Sequence, residues 1–254
     1  DTLLALHTVA AHHRAEFSLP VIGITGSNGK TVVKEWLYQL LHTDFRIVRS
    51  PRSYNSQIGV PLSVWPISES TELGIFEAGI SKTGEMQKLQ PIIRPTIGIF
   101  TNLGDAHQEG FSGLKQKADE KLKLFKESEV LIYNSDDKLL EIAILQAKLK
   151  ASLFSWGKKA DAKLKVLRVE KNGNTTMSLS YEKQQFDVEM PFTDDASVEN
   201  ALQCRCAMLV LNFKPEEIAR KLLRLEPVAM RLEVKEGLNG CQIINDTYNS
   251  DLNS

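Results

Sequence analysis

The segment VIGITGSNGKTVVKEWLYQLLH (21–42) constrains the fold more than any other stretch of this chain. It reads as a five-residue apolar run, a glycine-bearing turn, and then Val32, Val33, Trp36, Leu37, Leu40 and Leu41 at helical spacing. A strand feeding a helix through such a turn is the repeating unit of an α/β sheet. The alternation continues. Strand candidates recur at Phe45–Val48, Leu73–Glu77, Thr96–Thr101 and Val130–Asn134, with helical stretches at 2–15, 84–92 and 113–127. In the first helix Leu3, Leu6, Val9, Ala10 and His13 are expected on one side. The strand candidates are continuous apolar runs, as befits parallel strands buried on both faces.

The texture changes over 151–192, where apolar and polar residues alternate around the turn signal KNGNT. Two helices (195–212 and 215–225) and strands near 231–235 and 241–246 follow. The expected fold is α/β: a P-loop-containing, mostly parallel sheet flanked by helices, with a small antiparallel sheet appended at about 151–192.

Composition narrows the function classes. The 254 residues are 42% hydrophobic and 25% charged, enough apolar material for a sizeable core and too much for a disordered chain. Lys plus Arg (31) and Asp plus Glu (32) nearly cancel, so no one-signed field points to nucleic acid or an anionic membrane. No apolar run approaches the ~18 residues of a membrane span. The N-terminus lacks a signal-peptide layout. Cys204, Cys206 and Cys241 form no CxxC pair and read as reduced, mostly packed thiols of a cytoplasmic protein. His7, His12, His13 and His42 read as helix-surface residues. The chain starts at Asp1 rather than a Met and stops in a polar stretch, so it is expected to be a piece of a longer polypeptide.

The chemistry-bearing residues gather at the ends of the predicted strands. In GITGSNGKT, Gly26 and Gly29 let the backbone turn so that N–H groups around Ser27 and Asn28 face phosphate oxygens, and the next helix adds its positive end. Lys30 can reach the terminal phosphates, and the Thr31 hydroxyl can ligate Mg²⁺. The strict P-loop spelling wants glycine where Ile24 stands, so a turn with an accidental Lys-Thr is the alternative. Glu77 ends one apolar run, Asn102 ends another, and His107 follows five residues later. A carboxylate and an imidazole at neighbouring strand tips suit Mg²⁺ or substrate, because ligands of open α/β sheets bind beyond the carboxyl ends of the strands. By pattern alone Lys115, Lys117, Lys121, Lys123 and Lys126, with Asp119 and Glu120, form a solvated mixed-charge helix face.

These residues resemble the Mur ligases, the ATP-dependent amino-acid-adding enzymes of peptidoglycan synthesis. TGSNGKT is similar to that family's phosphate loop, which also lacks the first glycine of the strict motif. SYNSQIGVPLSVW (53–65), EAGISKTGEM (77–86), TNLGDAHQEGF (101–111) and NDTYNSDLNS (245–254) are similar to segments of the branch that adds D-alanyl-D-alanine, in the same order.

The resemblance implies that the chain is the family's central ATP-binding domain over 1–254, without the N-terminal UDP-sugar domain and the C-terminal domain. It implies that Lys30 and the backbone of Ser27–Thr31 hold ATP, that Thr31 and Glu77 take one Mg²⁺, and that His107 takes a second. Lys121 falls where the family carries a carbamylated lysine that supports the metal. Asn200 corresponds to an adenine-side asparagine, Arg231, Asp246, Tyr248 and Asn249 to nucleotide-proximal hinge residues, and Asn55 to a position near the reacting groups.

The implied reaction joins D-alanyl-D-alanine to a UDP-N-acetylmuramoyl-tripeptide through an acyl phosphate, with the isolated piece inactive. The spellings also resemble members fused to an alanine racemase, which makes such a partner an expectation. The sequence departs from the family at Ala196, where a histidine is usual, at Ser56-Gln57 and at Asn245. Two alternatives stay open: another Mur-type ligase or folylpolyglutamate synthase, and a non-catalytic nucleotide-binding module.

Overall fold

The structure is a computed structural model, describing residues 1–104, 110–231 and 233–247. His107, Tyr248 and Asn249 lie outside the described residues. Eight α-helices and eleven strands are described, α1 (Thr2–Ala15), β1 (Val21–Thr25), α2 (Lys30–Leu41), β2 (Ile47–Arg49), α3 (Gly59–Val64), β3 (Leu73–Glu77), α4 (Met86–Ile93) and β4 (Ile97–Phe100) coming first. They are followed by α5 (Leu114–Leu122), β5 (Val130–Asn134), α6 (Lys138–Ala147), β6 (Ser152–Gly157), β7 (Leu164–Asn172), β8 (Asn174–Tyr181) and β9 (Gln184–Met190). Then come α7 (Asp195–Val210), α8 (Pro215–Leu222), and a separate antiparallel pair, β10 (Glu233–Glu236) and β11 (Gln242–Asn245).

The main sheet runs β2-β3-β1-β4-β5-β6-β7-β8-β9. Pairing is parallel from β2 to β7 and antiparallel from β7 to β9. The expected antiparallel portion is present but is continuous with the parallel sheet. Its first strand, β6, pairs parallel with β5 because α6 carries the chain back across the sheet face. The sequence reading did not anticipate α6 or the short α3. For α6 a start signal existed: the Asp137 side chain accepts from the Leu140 N–H as an N-cap.

Alternate side chains of the central strands feed two apolar layers, since successive residues of a strand point to opposite faces. Ile22, Ile24, Ile75, Ile97 and Ile99 pack with α2, α7 and α8, while Val21, Phe76, Phe100 and Leu131 pack with α1 and α3 through α6. Trp36 of α2 is 2% exposed, and burial of a side chain that size contributes on the order of 3 kcal/mol. The buried face of α1 carries His7, Ala10 and Arg14, with Leu3, Leu6 and His13 of the predicted stripe half-buried beside them; of that stripe Val9 is exposed. His7 is thus no surface residue; its Nε2 lies 2.6 Å from the Gln57 carbonyl. Cys204 and Cys206 are both buried, because α7 is enclosed nearly all round, and Cys241 is exposed; all three are free thiols.

This topology fixes where a ligand can sit. After β1 the chain crosses to β2 and β3 on one side, then returns to β4 on the other. The reversal opens a crevice beyond the carboxyl end of β1, between the tips of β3 and β4.

Candidate functional site

The phosphate-type loop, residues 26–29, fills that crevice. Gly29, with φ 80°, caps α2 without any side-chain hydrogen bond, so the first turn of the helix presents its N–H groups and positive end to the cleft. The tip of β4 holds the loop in shape. Ser27 N–H donates to the Asn102 carbonyl (2.9 Å), Asn28 N–H to Asn102 Oδ1 (2.9 Å), and Thr101 Oγ1 to the Asn28 carbonyl (2.5 Å). Ser27 Oγ donates to the Gly104 carbonyl and accepts from the Gly104 N–H, both at 2.9 Å. Asn102 is therefore a clamp on the loop.

Two ammonium groups converge on this loop. Lys30 Nζ donates to the carbonyls of Gly26 (3.0 Å) and Ser27 (2.9 Å), and Lys121 Nζ donates to the same Gly26 carbonyl (2.8 Å). Lys117, on the same side of α5, donates to the Gly104 carbonyl. The solvated-face reading of this helix fails at Lys117, Glu120 and Lys121, which are 1–2% exposed. Glu120 is buried because it accepts from the Gly84 and Met86 N–H groups at the start of α4. Burial, then the charges of Lys30 and Lys117, push the Lys121 amine well below the usual lysine range.

Glu77 closes the other side. Register pairs it with Ile24, so the end of β3 lies beside the start of the loop. Its Oε2 accepts from Thr31 Oγ1 at 2.9 Å. Ser53 Oγ lies 3.2 Å from the same hydroxyl, and the Arg231 guanidinium reaches both at 3.4 Å. Burial pushes the Glu77 carboxyl above its ordinary range, countered by Lys34, Lys30, the Thr31 hydrogen bond and Arg231. Its Oε1 is buried with no hydrogen-bond partner among the described residues.

That orphan oxygen, with a hydroxyl at its side, fits a hard divalent cation. Mg²⁺ in a nucleotide site takes only one or two protein ligands and fills its sphere with phosphate oxygens and water.

The cleft measures about 540 Å³ and is lined by Ser27–Val32, Asn55, Lys121, Asn200, Arg231 and Asp246, among others. Asn200 packs its amide against Gly29, and Asn55 accepts from the Gly79 N–H (2.8 Å) on the far wall. Apart from His107, Tyr248 and Asn249, which lie outside the described residues, the residues singled out for the site in the sequence line this cleft, pack on the loop or touch Thr31. Sequence reasoning missed an apolar shelf made by Val32, Trp36, Phe192 and Val228, with Trp36 and Phe192 ring centroids 5.0 Å apart. Ala196 borders this end. It also missed Lys34, a fully buried cation on the flank of the apolar face of α2.

The sequence profile of the Mur ligase middle domain matches residues 24–208. Over 253 residues the chain is 32% identical to the UDP-N-acetylmuramoyl-tripeptide–D-alanyl-D-alanine ligase of Bacillus subtilis strain 168, covering 98% of this chain and 54% of that protein. Among solved structures, MurF from Acinetobacter baumannii superposes with a TM-score of 0.90 at 25% identity, covering 99% of this chain and 56% of that one. MurF ligase from Thermotoga maritima in complex with ADP superposes with a TM-score of 0.86, again at 25% identity, covering 98% and 58%. The chain therefore spans about half the length of the relatives it matches.

Proposed function

The chain belongs to the Mur ligase middle-domain family, and from that premise we propose that it is the central ATP-binding domain of a ligase adding D-alanyl-D-alanine to a UDP-N-acetylmuramoyl-tripeptide. The observation that carries this reading is the meeting of Lys30, Thr31, Glu77 and Lys121 around one loop beside a cleft open to a second substrate. The ADP named with the Thermotoga relative supports the nucleotide assignment. In this reading UDP-sugar and closing domains complete the enzyme, the work is cytoplasmic, and a fused alanine racemase remains part of the proposal.

A carboxylate does not acylate an amine at neutral pH, so one of its oxygens first attacks the γ-phosphorus and ADP departs, leaving an acyl phosphate. The dipeptide amine then attacks the acyl carbon. Loss of its proton and of phosphate yields the amide. Two anions must approach in the first step, and this chain's part is alignment and charge compensation. The α2 N-terminus and Lys30 hold the phosphates, and Arg231 stands beside Thr31. Thr31 and Glu77 would hold one Mg²⁺, with His107 assigned to a second. When bound, such ions neutralise phosphate charge.

The test is product analysis. The complete polypeptide, given ATP, Mg²⁺, the UDP-tripeptide and D-alanyl-D-alanine, should form amide, ADP and phosphate in equal amounts, whereas the 254-residue piece should bind ATP weakly and form no amide. Product with glutamate or diaminopimelate alone would move the chain to a sister ligase.

Lys121 carries a second expectation. A neutral amine adds carbon dioxide and releases a proton to give a carbamate, and this amine is held below its ordinary range by burial and then by the Lys30 and Lys117 cations. The neutral form therefore persists to lower pH than in a surface lysine, and the anion formed would meet two ammonium groups. In bicarbonate buffer, intact mass should rise by one carbon dioxide in wild type and not in Lys121→Ala. An unchanged wild-type mass at saturating bicarbonate counts against the modification.

A further inference from the structure

Lys34 lies one helical turn beyond Lys30 on α2 and is fully buried. Its ammonium donates to the carbonyls of Ser50 (2.8 Å) and Arg52, and pairs with Glu35 Oε1 at 2.8 Å. Glu35 in turn binds Arg49 at 2.9 Å, whose guanidinium stacks 3.6 Å above the Tyr38 ring. The chain leaving β2 winds around this ammonium: Arg52 takes a left-handed φ of 48°. Ser50 Oγ accepts from the Glu77 N–H at 3.2 Å, and Ser53, next after the turn, meets the Thr31 hydroxyl. Asn55 then docks on Gly79.

Burying an ammonium is costly unless it is paired and hydrogen-bonded. An apolar side chain here would fill the space and leave two inward carbonyls unmet. The same helix thus carries Lys30 and Thr31 toward the nucleotide and Lys34 toward the opposite wall.

We propose that Lys34 is a positioning residue that ties the 50–55 segment to α2, setting Ser53 against Thr31 and Asn55 on the far wall of the cleft. The proposal rests on the ligase reading for its kinetic consequence and on geometry alone for the tie.

In the complete protein, Lys34→Met should lower kcat by about 100-fold while the Kd for ADP changes by less than about 3-fold, because a misplacement near 1 Å is enough to cost that much in alignment. Hydrogen exchange should accelerate in peptides covering 50–58 and stay unchanged in β1 and β4. A uniform loss of protection, or equal losses in kcat and ADP affinity, would overturn the tie. Should Lys34→Met not fold, Arg52→Pro, whose ring cannot take the left-handed φ of 48°, displaces the same exposed turn without altering the Lys34 side chain, and the same split is expected at roughly 3- to 10-fold. A flat response there also overturns it. If wild type makes no amide, the ligase reading fails, and the exchange pattern still decides the tie.

Discussion

Glu77→Ala should reduce amide formation by the complete ligase about 10²–10³-fold, the usual cost of deleting one preorganised electrostatic contact to a developing charge. The carboxylate sits at the end of β3 with one oxygen on Thr31 and the other without a partner among the described residues, amid Lys30, Lys34 and Arg231. Glu77→Gln separates charge from shape. The amide oxygen can still accept from Thr31, so the loop should keep its form, yet the anion that a Mg²⁺ would need is gone. Both variants should melt cooperatively and lose ADP release together. Glu77→Gln turnover above a tenth of wild type would remove Glu77 from the metal site and leave only its hydrogen bond.

Gly26→Ala should be nearly as severe by another route. At φ 148° an added Cβ would stand 1.9 Å from Thr101 Oγ1 and 3.0 Å from the Asn102 nitrogen. Thr101 is the residue that clamps the Asn28 carbonyl, so relief of the clash breaks the clamp. Backbone strain and overpacking together cost about 2–4 kcal/mol. Denaturant melts should show that loss, and nucleotide affinity should fall about 100-fold, equivalent to roughly 2.7 kcal/mol. Adding Thr101→Ala should restore part of the stability, since the oxygen is removed, but not the binding, since the φ strain and the lost clamp remain. Full recovery of binding in the double variant would show that the loop's conformation matters less than its space.

The central strands and the strand–loop–helix unit were legible because buried parallel strands carry an unbroken apolar signal and a glycine turn punctuates them. Two kinds of information were not local. On α1 the predicted stripe missed His7 and Arg14, which are buried by hydrogen bonds to carbonyls of Gln57, Phe17 and Ile93 that no apolar count reveals. On α5, Glu120, Lys117 and Lys121 look solvated until residues 84–86, Gly104 and Gly26 supply their respective partners.

Thr31 and Glu77 are 46 positions apart and meet only because β1 and β3 are neighbours, a pairing that periodicity does not specify. Lys34 was invisible for the same reason: its partners arrive from the end of β2.

The two borders of the nine-stranded sheet are guarded differently against unwanted strand addition. β2 spans three residues, too short a template for another chain to zip onto. β9 offers seven residues, but Gln184, Gln185, Asp187 and Glu189 are exposed along it, and docking a foreign strand there would crowd its negative charges out of water. A chain whose interior is so rich in sticky isoleucine thereby keeps its margins unattractive to copies of itself.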